Sequence, residues 1–280
     1  MTRIVSSKSA TRTFVVGYGI RLSEDFRLAP GLTLLSDLPE FSLDDLAKGT
    51  EHFADYASCV LMKEIGSFTL RVEGSEPGEP MAVKTWNSLW SFSLLTIACS
   101  THCIPLFTKS AGLFSVSNRN RFISPRFDVV EPSVEDLEWA SANFDRFGAL
   151  IDDQNFSRAI RYLTNSHYLD DVDARIMLLW AGIECLLGVE SELRNRIGLY
   201  AAILHDGTAQ EKLAHQKAVR DAYTLRSKVV HGRGKSDTAL ITGYSLATSI
   251  LSRLLRKCVE LGRVPSTAEL DAAAAGGSLS

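Results

Sequence analysis

Histidine is the side chain able to give and take a proton near neutral pH, and arginine carries a permanent charge on a fork of donors that matches a phosphate. The two stand close together as Arg226 and His231 in the segment YTLRSKVVHGRGK, residues 223–235. Together they suit cleavage of an RNA backbone, because RNA supplies its own nucleophile in the 2'-hydroxyl. An enzyme then need only move protons and stabilise extra negative charge on the phosphate, and no metal or other cofactor is required. The bare pattern is common: with 20 Arg and 6 His in 280 residues, an Arg followed by a His after four to six intervening positions is expected roughly once by chance. A second match exists in RYLTNSH, as Arg161 and His167.

Context favours Arg226 and His231. They share their segment with Lys228, Arg233 and Lys235, which would guide an RNA strand, and Gly232 marks a helix end there. Five helical steps turn a side chain roughly 140° around the axis, too far for one face. His231 must therefore swing at the terminus, and Gly232 and Gly234 make that turn easy. The plainer reading is a surface Arg and a C-terminal His that stabilises the helix dipole. Glu184 is a lone carboxylate in the apolar stretch 176–187 and would need a partner if buried. It either orients Arg226 or an adjacent basic residue, or belongs to an ordinary core salt bridge.

Other groups point less sharply. Cys99, His102 and Cys103 have a metal-like spacing, with His52 or Cys59 as a guessed fourth ligand, but a buried thiol cluster explains them better. Asp152 and Asp153 are adjacent and point apart on a helix, so they make a poor carboxylate pair. Gly17-Tyr18-Gly19 lacks the third Gly and the helix of a dinucleotide site.

The elements that must position these groups fall into two halves. Residues 1–130 carry 13 basic and 13 acidic side chains, residues 131–192 carry 4 against 13, and residues 193–263 carry 13 against 5. A neutral first half thus precedes an acidic block and a basic one, and helices packed from the last two would set opposite charges side by side. The overall net charge of -3 excludes a broad basic coat for nucleic acid or an anionic membrane. The start of the chain has no apolar run suited to a secretory signal, and the five Cys lack a disulfide spacing. A cytoplasmic protein with reduced thiols is expected. The stretch LWSFSLLTIACSTHCIPLF, residues 89–107, is as long as a bilayer span but is interrupted by Thr, His and Pro, and is read as a buried helix and a short strand, with no membrane contact.

The expected class is α+β, with a mixed α/β module over residues 1–130, a helical antiparallel bundle over 131–264 and a disordered tail over 265–280. Strands are expected at 13–20, 58–63, 68–72, 104–107 and 112–116, and one long buried helix at 81–100 that includes Trp86. The Pro132-Ser133 pair followed by Glu135 and Asp136 opens the helical half. Helices follow around 137–147, 156–163, 174–187, 191–204, 208–231 and 240–261, punctuated by Gly188, Gly207 and Gly232. The sequence assigns no role to the first module; a sensor or specificity element is one expectation for it.

Three ordered segments, LLWAGIECLLG at 178–188, SELRNRIGLYAAIL at 191–204 and YTLRSKVVHG at 223–232, together resemble the Apea-like branch of the HEPN superfamily. The resemblance covers residues 178 to about 261 and extends plausibly back to Ser133. It implies an all-α domain that dimerises, with the Arg and His of both protomers meeting at one composite, metal-independent ribonuclease site. Arg226 and His231 match the family's Arg-x4-6-His motif, although the residue after the Arg, often Asn, Asp or His in active members, is Ser227 here. Family members serve in phage defence, in toxin-antitoxin pairs or in RNA processing, so RNA, a second copy of the chain and an antitoxin or phage trigger are the implied partners. Some members have lost catalysis and bind RNA or a protein instead. A two-fold dimer is also reasonable on charge alone, since it would double the local positive charge around Arg226 and His231.

Overall fold

A computed structural model describes residues 4, 7–117, 128–230 and 236–278. It is a mixed α+β protein that divides into two units, Met1–Phe144 and Asp145–Ser280.

The first unit is built on six antiparallel strands: β1 (Arg12–Tyr18), β2 (Phe26–Ala29), β3 (Leu32–Leu35), β4 (Phe68–Glu73), β5 (Ile104–Ser110) and β6 (Leu113–Val116), in the order β2-β3-β4-β1-β5-β6. Central strand β1 pairs with β4 from Arg12↔Glu73 to Gly17↔Phe68 and with β5 on its other side. Five helices accompany the sheet: α1 (Leu43–Gly49), α2 (Phe53–Ile65), α3 (Glu79–Ser88), α4 (Trp90–Ala98) and α5 (Val134–Ala142). Helix α4 is buried from Ser91 to Ala98.

Gly17 lies where a side chain would stand 2.6 Å from the rings of both Phe68 and Phe92, and Gly19 has φ 125 with the His102 carbonyl where its Cβ would be. The Gly-Tyr-Gly segment thus serves close packing. Ser58 to Lys63, expected as a strand, belongs to α2: Ser58, Cys59 and Met62 are its buried face, at helical spacing. A short apolar run carries too few turns to separate the two periods. The helix expected over 81–100 breaks at Leu89 into α3 and α4, and Trp86 stays 43% exposed on the outer side of α3. The β2–β3 hairpin was not expected; Gly31, at φ 74, makes its turn after Pro30.

Helix α5, which Ser133 caps by accepting from the Asp136 backbone N–H, packs against α4 and β2. The sheet unit therefore extends beyond residue 130, to Phe144.

The second unit is helical: α6 (Phe144–Leu150), α7 (Gln154–Ser166), α8 (Val172–Leu187), α9 (Leu193–Ile203), α10 (Ala209–Val230), α11 (Asp237–Leu261) and α12 (Thr267–Ala274). Helix α8 packs on α7 and α11, and α9 on α10. Its buried residues include Ile176, Leu179, Trp180 and Ile183. Gly182 brings α8 close to Leu251 and Tyr162, Gly198 brings α9 onto the stem of Arg220, and Gly243 brings α11 onto Leu225. Asp153 is the N-cap of α7, and Gly188 ends α8 in the left-handed conformation at φ 62. Residues 267–274, expected in a frayed tail, form α12 instead. Ser266 and Glu269 close a capping box, and Asp271 accepts from Arg196 and from the Tyr200 hydroxyl, at 2.9 and 2.5 Å, which ties α12 to α9. No helix among the described residues is long and apolar enough to cross a membrane.

Candidate active site

Arg226 stands near the C-terminal end of α10, one turn after Tyr223. Its neighbour across the packing is α8, which presents Glu184 beyond the fully buried Trp180, one turn earlier on the same helix. The Arg226 Nη2 lies 3.3 Å from Glu184 Oε1, with the two side chains 25% and 21% exposed. Tyr223 fills the gap: its ring packs edge-to-face on Trp180 at 5.1 Å, and the Arg226 guanidinium sits 5.4 Å from its centroid. Burial chiefly pushes the Tyr223 phenol above its ordinary pKa; the Arg226 charge opposes this, while the Glu184 charge and a hydrogen bond to that carboxylate add to it. The phenol therefore stays protonated and can donate.

The ion pair does not saturate either partner. Glu184 Oε1 and Arg226 Nε are both buried and without a hydrogen-bond partner among the described residues. The 3.3 Å contact is thus a charge contact with poor hydrogen-bond alignment. Such a guanidinium is held in place, partly shielded from water, and keeps donor capacity for an anion.

No family model, curated protein or solved structure matches the chain.

Of the residues singled out in the sequence, Arg226 and Glu184 come together. Lys228, half-buried in the last turn of α10, lies two residues on and so roughly 200° around the axis from Arg226. His231, Arg233 and Lys235 lie outside the described residues. In the rival pair, Arg161 is exposed and donates through Nε to the Ser157 carbonyl of its own helix, while His167 caps the end of α7 beside the Tyr168 ring. A separation of six residues turns the two roughly 240° apart on a helix, and no common ligand is served.

The five cysteines are free thiols. Cys59 and Cys258 are pushed up to about 12 by burial, and Cys103 is driven well above the ordinary thiol range for the same reason. Among the described residues no group of three or more His, Cys, Asp and Glu is arranged to hold a metal ion. Cys99, His102 and Cys103 are instead core residues, and the Cys103 amide donates to Thr96 Oγ1 at 3.0 Å.

Sequence reasoning missed Tyr223 as the third member of the Arg226 cluster. Its signal was the spacing: Trp180 and Glu184 are one turn apart on α8, as Tyr223 and Arg226 are on α10, so an aromatic pair and a charge pair stack in register.

Proposed function

We propose that the helical unit is a metal-independent endoribonuclease of the HEPN type, acting as a homodimer with a composite site. In this reading Arg226 binds the scissile phosphate, and His231 moves the proton as general base or acid. Lys228, Arg233 and Lys235 guide the strand. The 2'-oxygen attacks phosphorus, the 5'-oxygen leaves with a proton, and a 2',3'-cyclic phosphate remains. Glu184 and Tyr223 position Arg226. The family resemblance adds a role in phage defence or as a toxin, with an antitoxin or a phage component as regulator and the sheet unit as sensor or specificity module.

The observation that supports this is the Arg226 guanidinium: largely shielded but 25% exposed, held beside Glu184, one turn before the segment that contains His231. A phosphate oxygen would bond to the exposed part of the guanidinium, the buried Nε being out of its reach. The test is purified protein incubated with RNA in excess chelator, followed by end-group analysis. Cyclic phosphate ends are expected from the native protein and not from Arg226→Ala or His231→Ala. Ends that persist in both variants would overturn the assignment.

The charge contact with Glu184 favours a second reading, in which the same fold is a non-catalytic module that binds RNA or a protein partner. A guanidinium beside a carboxylate attracts a phosphate less than a free one does. No cleavage of any RNA, together with a stable complex that survives Arg226→Ala, would select it.

A further inference from the structure

We propose that the face of the six-stranded sheet that turns away from α4 binds a single-stranded nucleic acid, with a base stacked on Phe14 and phosphates held by Arg27, Arg71 and Lys109. This stands independently of the ribonuclease reading, since every residue involved belongs to the sheet unit.

Strand alternation produces the face. In β4 the side chains of Phe68, Leu70 and Val72 are fully buried, whereas Arg71 and Glu73 on the other side remain partly open to solvent. In β1 the usual pattern is inverted. Thr13 turns to the buried side, the side on which Gly17 meets Phe92 of α4, and its hydroxyl has no hydrogen-bond partner among the described residues. Phe14 turns to the open side and is only half-buried. Exchanging the two would favour stability, so the outward ring answers to a ligand rather than to the core.

The strand registers line up one rung across this face. Arg27 of β2 pairs with Thr33 of β3, Thr33 with Arg71 of β4, Arg71 with Phe14 of β1, and Phe14 with Lys109 of β5. Directly opposed residues have Cβ atoms about 4.5–5.5 Å apart, and four strand spacings make the rung roughly 19 Å long. Beyond Lys109 the rung is closed, because its next member, Phe114, lies under Phe41 with ring centroids 5.0 Å apart. Arg71 is held in place: Nη2 donates to Thr33 Oγ1 at 3.3 Å, and Nε lies 3.6 Å from Glu73 Oε1. Lys109 Nζ donates to the Glu40 carbonyl at 2.6 Å and stands 5.8 Å from the centre of the Phe41 ring.

Carboxylates border the rung at Glu73, shared by Arg12 and Arg71, and at Asp37 and Glu40 on the segment whose carbonyls accept from Thr69 and Lys109. Among the described residues Arg27 and Lys109 have no carboxylate within ion-pair distance. Net charge is nearly balanced, and what selects the ligand is the order cation, hydroxyl, cation, aromatic, cation. An acidic peptide would use the cations and leave the ring in water. A duplex keeps its bases stacked on one another and presents phosphates alone. A single strand offers both a free base face and a repeating phosphate, the combination that aromatic residues on a basic sheet surface recognise.

The test is fluorescence anisotropy of a labelled single-stranded octanucleotide, 2'-O-methylated to resist cleavage, titrated with the full chain. Binding is expected with Kd below about 0.1 mM at low salt, and Kd should rise with salt at a log–log slope of about 2, from three phosphate contacts at about 0.7 each. Arg27→Gln, at an exposed position, should weaken binding about threefold and cut the slope by about 0.7 with Tm unchanged. Phe14→Leu keeps an apolar side chain; it should weaken binding about tenfold and abolish the preference for the normal strand over an abasic one of equal length, a difference that altered stability would not produce. DNA of the same sequence distinguishes the sources of the strand: weaker binding than the 2'-O-methyl strand assigns the face to RNA, and equal binding assigns it to single strands of either kind. Absence of binding, an abasic strand bound as tightly as the normal one, or displacement by polyglutamate as effective as by unlabelled oligonucleotide overturns the proposal. Binding lost in Arg226→Ala and unchanged in Arg27→Gln and Phe14→Leu also overturns it, while leaving the ribonuclease reading intact.

Discussion

Removing the Glu184 charge is the perturbation that most directly probes the Arg226 cluster. At 3.3 Å the bare attraction is about 5 kcal/mol for an effective dielectric of about 20. Both side chains remain a fifth to a quarter exposed and neither is fully hydrogen-bonded, so screening and desolvation cancel most of it. A coupling of about 1–2 kcal/mol is left, above that of an exposed pair and below that of a deeply buried one. Glu184→Gln keeps the shape and should destabilise the fold by about 1–3 kcal/mol, since it strands a half-buried cation. Arg226→Gln made alongside it completes a double-mutant cycle, read by urea denaturation at pH 7. A coupling below about 0.3 kcal/mol would refute the argument that the carboxylate holds the guanidinium. If the ribonuclease reading is right, Glu184→Gln should also lower kcat/KM on RNA by about ten- to a hundredfold while Glu184→Asp recovers part of it, a pattern general loss of stability would not produce.

Other expectations are equally concrete. Gly17→Ala should cost about 1–3 kcal/mol through overpacking against the Phe68 and Phe92 rings, seen as a lower Tm. Ser266→Ala should cost about 1 kcal/mol by opening the capping box of α12, measured by the same denaturation. With His215 lowered from 6.5 to about 4, the unfolded chain takes up a proton first as pH falls, so stability should decline between those two values. Discounted for a ring that is only half enclosed, the loss is about 1–2 kcal/mol, and His215→Gln should remove it from a series of urea melts. Changing Arg161 and His167 to Ala should leave any RNA cleavage intact, and an end-group assay that loses its product would show that the wrong Arg–His pair was chosen.

Much of the helical half was readable because its signals are local. Gly188 and Thr208 mark helix ends by backbone chemistry that needs no tertiary partner. The same rule makes Ser266-Thr-Ala-Glu269 a start signal for α12, hidden by the Ala-rich composition that follows. In the sheet unit, Ser58 to Lys63 became helix and Phe26 to Leu35 became a hairpin, because strand identity depends on neighbours distant in sequence. Glu184 could be found as a charge inside an apolar helix in need of a partner, and Arg226 was the cation within reach. The stack of His205 on His215, with ring centroids 4.4 Å apart, was not legible: nothing in the spacing of two histidines across a turn indicates that their rings will meet.

Helix α10 meets two of its neighbours at glycines, Gly198 of α9 under the stem of Arg220 and Gly243 of α11 under Leu225. Where a side chain seats in such a notch, sliding along or rolling about the axis drives it into the adjoining backbone. The helix is therefore keyed in place like a shaft in its housing. His215 and Arg226 lie eleven residues apart on it, about 16 Å at helical rise, so both ride on one element whose seat is set by its neighbours' glycines.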